Sequence, residues 1–300
     1  MKQAFIILSH KSPNQLRRLI SIMDSPFFDF FIHIDLRVEI APFVDLIKTE
    51  HSKVHFVKKR TKADWGGFGL VQGTINSIEE VISSTNSYSH ISLISGQDYP
   101  IKSNQFIHDF FEENLSKNFI AFEPFPVKSL NFGGFERIQH RSVNLKGRRH
   151  TYLPKKYLNN SSFKGKMLNS LLWIYEKITP KRVIPYNMKP YYGSQWWSLT
   201  YESIKSIMEF LLDNPKFIKY HKESLIPDEM FFQMILLNNE IIDTIINDNK
   251  RFILWNKESS HPISLSSSRL PEINMSDKLF ARKFEENAPI LNELDQLLNL

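Results

Sequence analysis

Two adjacent carboxylates open an apolar segment in the last third of the chain, where Pro227-Asp228-Glu229 precedes Met230 and Phe231. A carboxylate can accept the proton of a hydroxyl group, so this pair is a candidate general base. Acidic residues at the start of a helix also stabilise its positive end. For the pair taken alone, this structural role is the favoured interpretation.

A basic pair near the C-terminus, Arg282-Lys283, stands between Phe280 and Phe284. A fixed cation stabilises the charge that develops on a leaving phosphate. Adjacent Arg and Lys residues are usually solvated, but the flanking aromatic residues are unusual for such a stretch. None of the 13 Asp residues lies two positions from another, so the chain lacks the Asp-x-Asp pattern with which sugar-nucleotide enzymes commonly hold a cation. A leaving diphosphate would therefore need Arg or Lys.

Aromatic residues suited to sugar rings occur in Gly193-Ser194-Gln195-Trp196-Trp197. Adjacent residues of a strand face opposite sides, so one Trp can pack in the core while the other lines a site. Trp65 and Trp255 are further candidates for ligand contact. Core packing accounts for most buried Trp, so we expect only one or two of the five to touch a ligand.

The other common site patterns are missing. The glycine-rich run Gly66-Gly67-Phe68-Gly69 lacks dinucleotide-binding spacing, and there is no P-loop, HExxH or GxSxG sequence. His51 and His55 are four apart in a predicted strand or turn, where that spacing does not place both on one face. We predict no metal site and no cofactor.

Composition narrows the class of protein. The chain has 300 residues, 42% of them hydrophobic and 23% charged, as in an ordinary globular protein. Absence of Cys excludes disulfides, thiolate metal sites and a cysteine nucleophile. The apolar run Ala4 to Leu8 is too short for a signal peptide, and no stretch reaches 18 uninterrupted apolar residues. We therefore expect a cytoplasmic protein made without an export signal.

Positive charge is concentrated in one segment, although the net charge of the whole chain is only +6. No acidic residue lies between Glu136 and Glu176. Nine basic residues do: Arg137, Arg141, Lys146, Arg148, Arg149, Lys155, Lys156, Lys164 and Lys166. Such a segment indicates an anionic partner, which we predict to be the surface of the inner membrane. A cover over the active site or a solvated loop are the alternatives.

The elements that would position these residues alternate between strands and helices up to residue 125, which predicts a mainly parallel sheet flanked by helices. The predicted strands are Ala4–Ser9, Phe30–Asp35, Lys53–Lys58, His90–Ser95 and Asn118–Phe122. The predicted helices are Pro13–Met23, Leu70–Ser83 and Asn104–Glu113. Polar clusters end three strands, at Ser9-His10-Lys11, at Asp35-Leu36-Arg37 and at Ser95-Gly96-Gln97-Asp98, where ligands bind in such sheets.

The second half of the chain begins with a basic, mostly irregular excursion over 127–190, with some helix at Leu168–Glu176. Order returns with a strand at Gly193–Thr200 and another at Arg251–Trp255. Three more helices are predicted, at Tyr201–Asp213, Pro227–Leu237 and Pro289–Leu298. We expect a single domain over 1–300, with a nucleotide-binding half at 1–125 and an acceptor and catalytic half at 126–300.

Seven segments, taken together and in order, resemble glycosyltransferase family 14, the core-2/I-branching β-1,6-N-acetylglucosaminyltransferases and protein O-xylosyltransferases. They are His33-Ile34-Asp35-Leu36-Arg37, Trp65-Gly66-Gly67, Leu93-Ile94-Ser95-Gly96-Gln97-Asp98-Tyr99-Pro100-Ile101, Gly193-Ser194-Gln195-Trp196-Trp197, Pro227-Asp228-Glu229, Trp255, and Leu279-Phe280-Ala281-Arg282-Lys283-Phe284. The resemblance implies a GT-A-type, Rossmann-like fold and a metal-independent, inverting transfer from a UDP-sugar.

The resemblance also implies roles for individual residues. Glu229 matches the catalytic base, and Arg282 and Lys283 match the pair that holds the diphosphate. Asp35 and Trp65 match residues near the nucleoside, and we extend the predicted donor site to Ser9, His10, Arg37, Gly66 and Asp98. The acceptor and sugar site would comprise Glu123, Gln195, Trp196 and Trp255. A second family cation has no clear counterpart, with His261 and Arg269 as candidates.

Departures from the animal members indicate a bacterial relative without a membrane anchor, because the animal cysteines and N-terminal anchor are missing. We expect transfer of N-acetylglucosamine to a glycan hydroxyl, in a surface polysaccharide carried on lipid or lipopolysaccharide. UDP-xylose, UDP-galactose and UDP-glucuronate are alternative donors. The rival class is a non-catalytic module that binds an anionic ligand. Nucleic acid is not the expected partner, because aromatic stacking platforms are sparse in the basic segment.

Overall fold

A seven-stranded sheet forms the centre of the computed structural model, which describes residues 1–158, 162–239, 244–256 and 261–298. The strands are β1 (Lys2–Ser9), β2 (Phe28–Ile34), β3 (Val54–Phe56), β4 (Tyr88–Ser95), β5 (Tyr99–Pro100), β6 (Asn118–Pro124), β7 (Ser142–Leu145), β8 (Arg148–Thr151), β9 (Tyr191–Thr200), β10 (Ile245–Ile246), β11 (Arg251–Ile253) and β12 (Phe280–Arg282). The helices are α1 (Pro13–Met23), α2 (Ala41–Leu46), α3 (Gly69–Ile82), α4 (Asn104–Glu113), α5 (Phe135–Gln139), α6 (Phe163–Ile178), α7 (Tyr201–Asp213), α8 (Pro215–Lys222), α9 (Phe231–Leu237), α10 (Leu270–Asn274) and α11 (Pro289–Leu298).

The order of strands in the main sheet is β10-β6-β9-β4-β1-β2-β3. β1 pairs in parallel with both β2 and β4, and β2 pairs in parallel with β3. β9 lies between β4 and β6 and is antiparallel to both. The predicted class, a mainly parallel sheet flanked by helices, is confirmed. The one reversed strand comes from the second half of the chain.

Alternation along β1 explains why the sheet has an apolar core on each face. Phe5 and Ile7 pack on one side in a cluster that includes residues of α1, α4 and α11. Ala4, Ile6 and Leu8 pack on the other side, with residues of α3, α7 and α9. Successive side chains of a strand point to opposite faces, so a strand buried on both faces is apolar throughout.

A second, three-stranded sheet joins two of the motif segments. β12 pairs in parallel with β11 and antiparallel with β5, so that Ala281 lies opposite Tyr99 and Phe280 opposite Pro100. The Ser-Gly-Gln-Asp-Tyr-Pro segment and the basic pair are therefore neighbours in space, although more than 180 residues separate them in the chain.

The excursion over 127–190 is more regular than predicted. It contains α5, the 16-residue helix α6 and a hairpin of β7 and β8, while residues 159–161 lie outside the described residues. The hairpin turns at Lys146 and Gly147, which both have positive φ, as a tight two-residue turn requires. Lys-Gly is a weak turn signal, which explains why the sequence did not indicate these strands.

Two other elements differ from prediction. The helix expected over Pro227–Leu237 is interrupted, because Pro227–Glu229 forms a 3-10 turn and Met230 leaves helical geometry at φ −138°. The strand expected over Arg251–Trp255 ends at Ile253, and Trp255 instead makes an isolated bridge to Pro262. Within the described residues, no helix combines the length and apolar character needed to span a membrane.

Candidate active site

A cleft of about 1160 Å³ opens where β1 and β4 end and where β9 crosses the sheet. Ser9, the last residue of β1, and His10 after it line the cleft, and Gln97 lines it just after β4. The carboxyl ends of parallel strands meet at one edge of a sheet, which makes this the expected ligand site. The second half of the chain supplies the opposite wall.

Glu229 lines this cleft, and its carboxylate is held by a buried guanidinium. Nη1 of Arg137 donates a hydrogen bond of 2.5 Å to Oε2 of Glu229. Because Met230 breaks the helix after Glu229, this carboxylate lies one turn before α9 rather than in its first turn. Its geometry is therefore fixed by Arg137 and not by capping of α9.

Arg137 is a site residue that the sequence did not indicate. Burial disfavours its charged form, but the attraction of Glu229 outweighs burial and raises the pKa of Arg137. The guanidinium lies 5.0 Å from the ring centre of Tyr192, another residue of the cleft. Burial and the neighbouring Glu229 raise the pKa of Tyr192 to about 12, so its phenol stays protonated at neutral pH and can donate a hydrogen bond.

Asp228 contributes differently from its neighbour. Burial and repulsion from Glu229 raise the pKa of Asp228 to about 7. Its Oδ1 atom is buried and has no hydrogen-bond partner among the described residues. The two carboxylates of the motif therefore differ in their environment. Asp228 is partly protonated at neutral pH, whereas Glu229 is paired with the Arg137 guanidinium.

Arg282 is a second charged group that lines the same cleft. Nη1 of Arg282 donates to Oδ1 of Asp98 at 3.1 Å and to Oγ of Ser95 at 3.3 Å. Its guanidinium lies 4.2 Å from the ring centre of Trp196, so it is stacked as well as paired. Burial lowers the pKa of Arg282, and the Asp98 carboxylate opposes that effect.

Asp98 itself is fully buried beneath Arg282 and does not line the cleft. It also interacts electrostatically with Arg251, a second cleft residue that the sequence did not indicate. Burial lowers the pKa of Arg251 to about 10, which leaves it charged at neutral pH. Its guanidinium donates to the carbonyl oxygens of Asn249 at 2.8 Å and Leu93 at 3.3 Å.

Of the other predicted cations, two lie outside the lining of the cleft and one lies within it. Lys283 is not among the residues that line the cleft, and it interacts with Glu285 instead. Arg269 also lies outside the lining and pairs with Glu272 at 2.6 Å. His261 does line the cleft.

The Asp35 carboxylate accepts hydrogen bonds from neighbouring loops and is not free to bind a ligand through an unpaired oxygen. Arg37 donates to both of its oxygens, at 2.9 Å and 2.8 Å, and the backbone amide of Ala63 donates at 2.9 Å. Burial alone would raise the pKa of Asp35, but these hydrogen bonds hold it well below its ordinary value. Asp35 lines the cleft, whereas the half-exposed Arg37 does not.

The two adjacent tryptophans take opposite sides, as strand alternation predicts. Trp197 is fully buried against Phe232, and Trp196 lines the cleft beside Arg282. Gly193 lets β9 approach β6 closely, since a Cβ there would come within 1.9 Å of the Ala121 carbonyl oxygen.

The remaining predicted residues also lie in the cleft wall. Gln195 and Glu123 line the side formed by β9 and β6, and Gly66 takes positive φ next to Trp65. Trp65 and Trp255 also line the cleft, and at least half of each side chain is exposed, at 50% and 58%. No group of three or more His, Asp and Glu residues suited to a metal ion occurs within the described ranges.

Curated relatives align over nearly all of this chain at low identity. A β-glucuronosyltransferase of Arabidopsis thaliana, GlcAT14A, is 23% identical over 95% of this chain and 61% of its own length. Xylosyltransferase 1 of Homo sapiens is 22% identical over 98% of this chain and 30% of its own length. The chain thus spans less than two thirds of the length of either relative.

Solved structures give weaker likenesses. Mouse xyloside xylosyltransferase 1 aligns over 96% of this chain and 98% of its own, with 10% identity and a TM-score of 0.40. The S. aureus TarS fragment 1-349 aligns over 82% of this chain and 57% of its own, with 14% identity and a TM-score of 0.35.

The decisive match is to a family profile that extends from the first strand to the turn before β12. It covers residues 3–277, which include the Asp35 loop, Trp65, Gly193 to Trp196, Glu229 and Trp255. These are the positions that the fold gathers around the cleft. By this match over most of its length, the chain belongs to the Core-2/I-Branching enzyme family.

Proposed function

We propose that this protein is an inverting glycosyltransferase that moves a sugar from a UDP-sugar to a hydroxyl group of a glycan. The observation that carries the proposal is a single cleft lined by both an oriented carboxylate and a stacked guanidinium. Glu229 is held by Arg137, and Arg282 is held by Asp98 and Trp196. Membership of the Core-2/I-Branching enzyme family supports the same reaction.

The reaction assigns each charged group a step. Glu229 takes the proton of the acceptor hydroxyl, whose oxygen forms a bond to the anomeric carbon of the donor. The bond from that carbon to the diphosphate oxygen breaks on the opposite face, and UDP leaves with the bonding electrons. Arg282 stabilises the developing negative charge from a site that is already largely desolvated. Lys283 acts in the proposal as the outer cation of the diphosphate site.

We propose that the transfer needs no metal ion, because cationic side chains of the cleft can neutralise the diphosphate. Two guanidinium groups, Arg251 and Arg282, supply positive charge where an Asp-x-Asp enzyme uses a divalent cation. Arg251 is therefore the proposed second cation, in place of Arg269, which pairs with Glu272 away from the cleft. His261 remains a further candidate at the rim.

The donor and acceptor are proposed by class. UDP-N-acetylglucosamine is the donor that the resemblance implies, and UDP-xylose and UDP-glucuronate correspond to the names of the relatives. UDP-galactose completes the set. Trp196, Trp255 and Trp65 offer partly exposed rings along the cleft, and such flat apolar faces suit the rings of a glycan acceptor. We propose a surface polysaccharide carried on lipid or lipopolysaccharide as that acceptor, reached by peripheral contact with the inner membrane.

The test is a donor-hydrolysis screen, because many glycosyltransferases hydrolyse their own donor slowly without acceptor. Purified protein is incubated with each of the four UDP-sugars, with and without EDTA, and released UDP is measured. One donor should yield UDP well above the others, at a rate that EDTA leaves unchanged. Binding of UDP without release from any donor would instead identify a non-catalytic binding module. Activity that EDTA removes and manganese restores would contradict metal independence.

A further inference from the structure

Helix α6 exposes an apolar stripe along its entire length. Phe163, Met167, Leu171, Ile174 and Ile178 follow the spacing i, i+4, i+8, i+11 and i+15, which places them on one face of a helix. Each is between 48% and 83% exposed. The opposite face is the buried one, where Leu172 and Asn169 lie. A helix that exposes a row of large apolar residues to solvent indicates a surface that binds another molecule or a membrane.

Charged residues border the stripe on both sides. Lys164 lies at one edge, and Lys166 and Lys177 lie at the other, by the angular positions of these residues on a helix of 3.6 residues per turn. The only acidic residue of α6, Glu176, is turned inward and accepts a hydrogen bond of 2.6 Å from the Arg141 amide. The outward face of α6 is thus apolar at its centre, and the charged residues at its borders are all cationic.

The position of α6 is fixed by polar contacts to the excursion rather than by a large core. The side chain of Asn169 bonds both backbone groups of Leu153, at 2.8 Å and 3.0 Å. Glu176 also lies 3.5 Å from His140, in the segment that contains Arg137. These contacts fix α6 to the rest of the 127–190 excursion, which also contains Arg137, the residue that orients the candidate base.

We propose that α6 lies in the plane of an anionic membrane surface, with its apolar stripe in the headgroup region and its lysines on the lipid phosphates. This inference rests on the proposed function and names the surface by which the enzyme reaches a lipid-carried acceptor. An interfacial helix of this kind has a narrow apolar face edged by Lys and carries aromatic residues. At 16 residues α6 is about 24 Å long, enough to contact several headgroups.

A second copy of the chain is the less favourable occupant. Two such stripes packed together would bring the bordering lysines of both copies close to one another, with no acidic residue on either outward face. Anionic lipid removes that repulsion. Trp173, whose ring centre lies 5.7 Å from Nζ of Lys177, is a residue type enriched at the membrane interface.

The structure also revises the electrostatic basis of membrane contact. At least three of the nine basic residues in 137–166 are engaged by other residues of the protein: Arg137 with Glu229, Arg141 with Glu223 and Arg149 with Ser142. The basic segment therefore offers less free charge than its sequence indicates. The stripe of α6 supplies the apolar contribution that lysines alone would lack.

The experiment is co-sedimentation with vesicles of phosphatidylcholine alone and of phosphatidylcholine with phosphatidylglycerol. Wild type should bind the anionic vesicles, more weakly as salt rises, because screening shortens to about 8 Å at physiological ionic strength. Met167→Gln/Leu171→Gln/Ile174→Gln should weaken binding at least about tenfold, since three apolar side chains lose their burial. Lys164→Gln/Lys166→Gln/Lys177→Gln should abolish the preference for anionic lipid.

Leu212→Gln/Met275→Gln is the control, because these apolar residues are even more exposed, at 80% and 88%, on other parts of the surface. It should bind vesicles like wild type. Donor hydrolysis in all variants reports the proposed function separately, since the changed residues lie outside the cleft. Absence of vesicle binding by an active wild type, equal binding by the stripe variant, or a wild-type dimer that the stripe variant abolishes would overturn the inference.

Discussion

Arg137 and Glu229 form a partly buried ion pair that joins the basic excursion to the turn before α9. Nη1 and Oε2 are 2.5 Å apart, and the two residues are separated by 92 positions in the chain. The exposed part of Glu229 faces the cleft. The Arg137 guanidinium and the Tyr192 hydroxyl both hydrogen-bond this carboxylate. The two groups together determine the direction from which the proposed base acts.

Replacing Glu229 by Gln should abolish transfer while UDP still binds. A general base typically contributes on the order of a hundred- to ten-thousand-fold in rate, and Gln preserves the shape of the side chain without the basic oxygen. The measurements are turnover with the donor identified in the screen and UDP affinity by calorimetry.

Glu223→Gln is the control for that experiment, because Glu223 also pairs with an arginine of the excursion, Arg141, at 3.0 Å, but lies outside the cleft. It should retain turnover. Near-normal turnover in Glu229→Gln would assign Glu229 to a structural role at the turn.

Replacing Arg137 by Lys should lower kcat with little change in the KM for donor. Lys keeps the charge but loses the planar guanidinium that points at Glu229, and misplacement of a catalytic group by about 1 Å can cost on the order of a hundredfold. Steady-state kinetics separate the two constants. Arg141→Lys is the matched control and should leave both unchanged. A variant whose KM rises while kcat stays normal would show that Arg137 contacts substrate instead of positioning the base.

Replacing Arg282 by Gln should weaken UDP binding more than the same change at Lys283. Arg282 is held in the cleft by Asp98 and stacked on Trp196, whereas Lys283 lies beside the lining. A charge-assisted hydrogen bond is worth roughly 1.5–3 kcal/mol, or about ten- to a hundredfold in affinity. Calorimetric titration of both variants with UDP gives the comparison. Equal losses would place Lys283 at the diphosphate together with Arg282.

The sequence predicts those parts of the cleft that depend on neighbouring residues in the chain. Alternation on β9 predicts that Trp196 and Trp197 point to opposite sides, and the polar residues Ser9 and Asp35 follow apolar strands that must end at one edge. Arg137 and Arg251 gave no such signal. A basic residue in a basic segment is usually solvated, and its partner Glu229 lies 92 residues away, so only the tertiary fold reveals that Arg137 is buried.

Strand direction and turn geometry were also beyond local reasoning. The reversal of β9 depends on the path of the whole excursion, which the residues of β9 do not encode. The break at Met230 separates Glu229 from α9, although the apolar run continues through it. Periodicity therefore predicted one helix over Pro227–Leu237, and the position of the candidate base depends on the interruption that periodicity does not detect.

Because the pKa of Asp228 is raised in the folded protein, the protein should become less stable as pH rises towards neutrality. Burial and Glu229 raise the pKa of Asp228 to about 7, whereas an Asp in the unfolded chain titrates near 4. Between these values the folded state binds more protons than the unfolded state, so the free energy of unfolding falls as pH increases. Asp228→Asn removes this dependence, and the variant should gain stability relative to wild type as pH rises from about 4 to about 7.

Urea denaturation of wild type and Asp228→Asn across that range checks the sign of this effect. Buried histidines such as His90 and His221, whose pKa values burial lowers, add a slope of the opposite sign. That slope is common to both proteins and cancels in the difference between their unfolding free energies. The difference should grow with pH and level off above about pH 7, where Asp228 is ionised in both states. A difference that stays constant with pH would mean that Asp228 is ionised in the folded protein throughout.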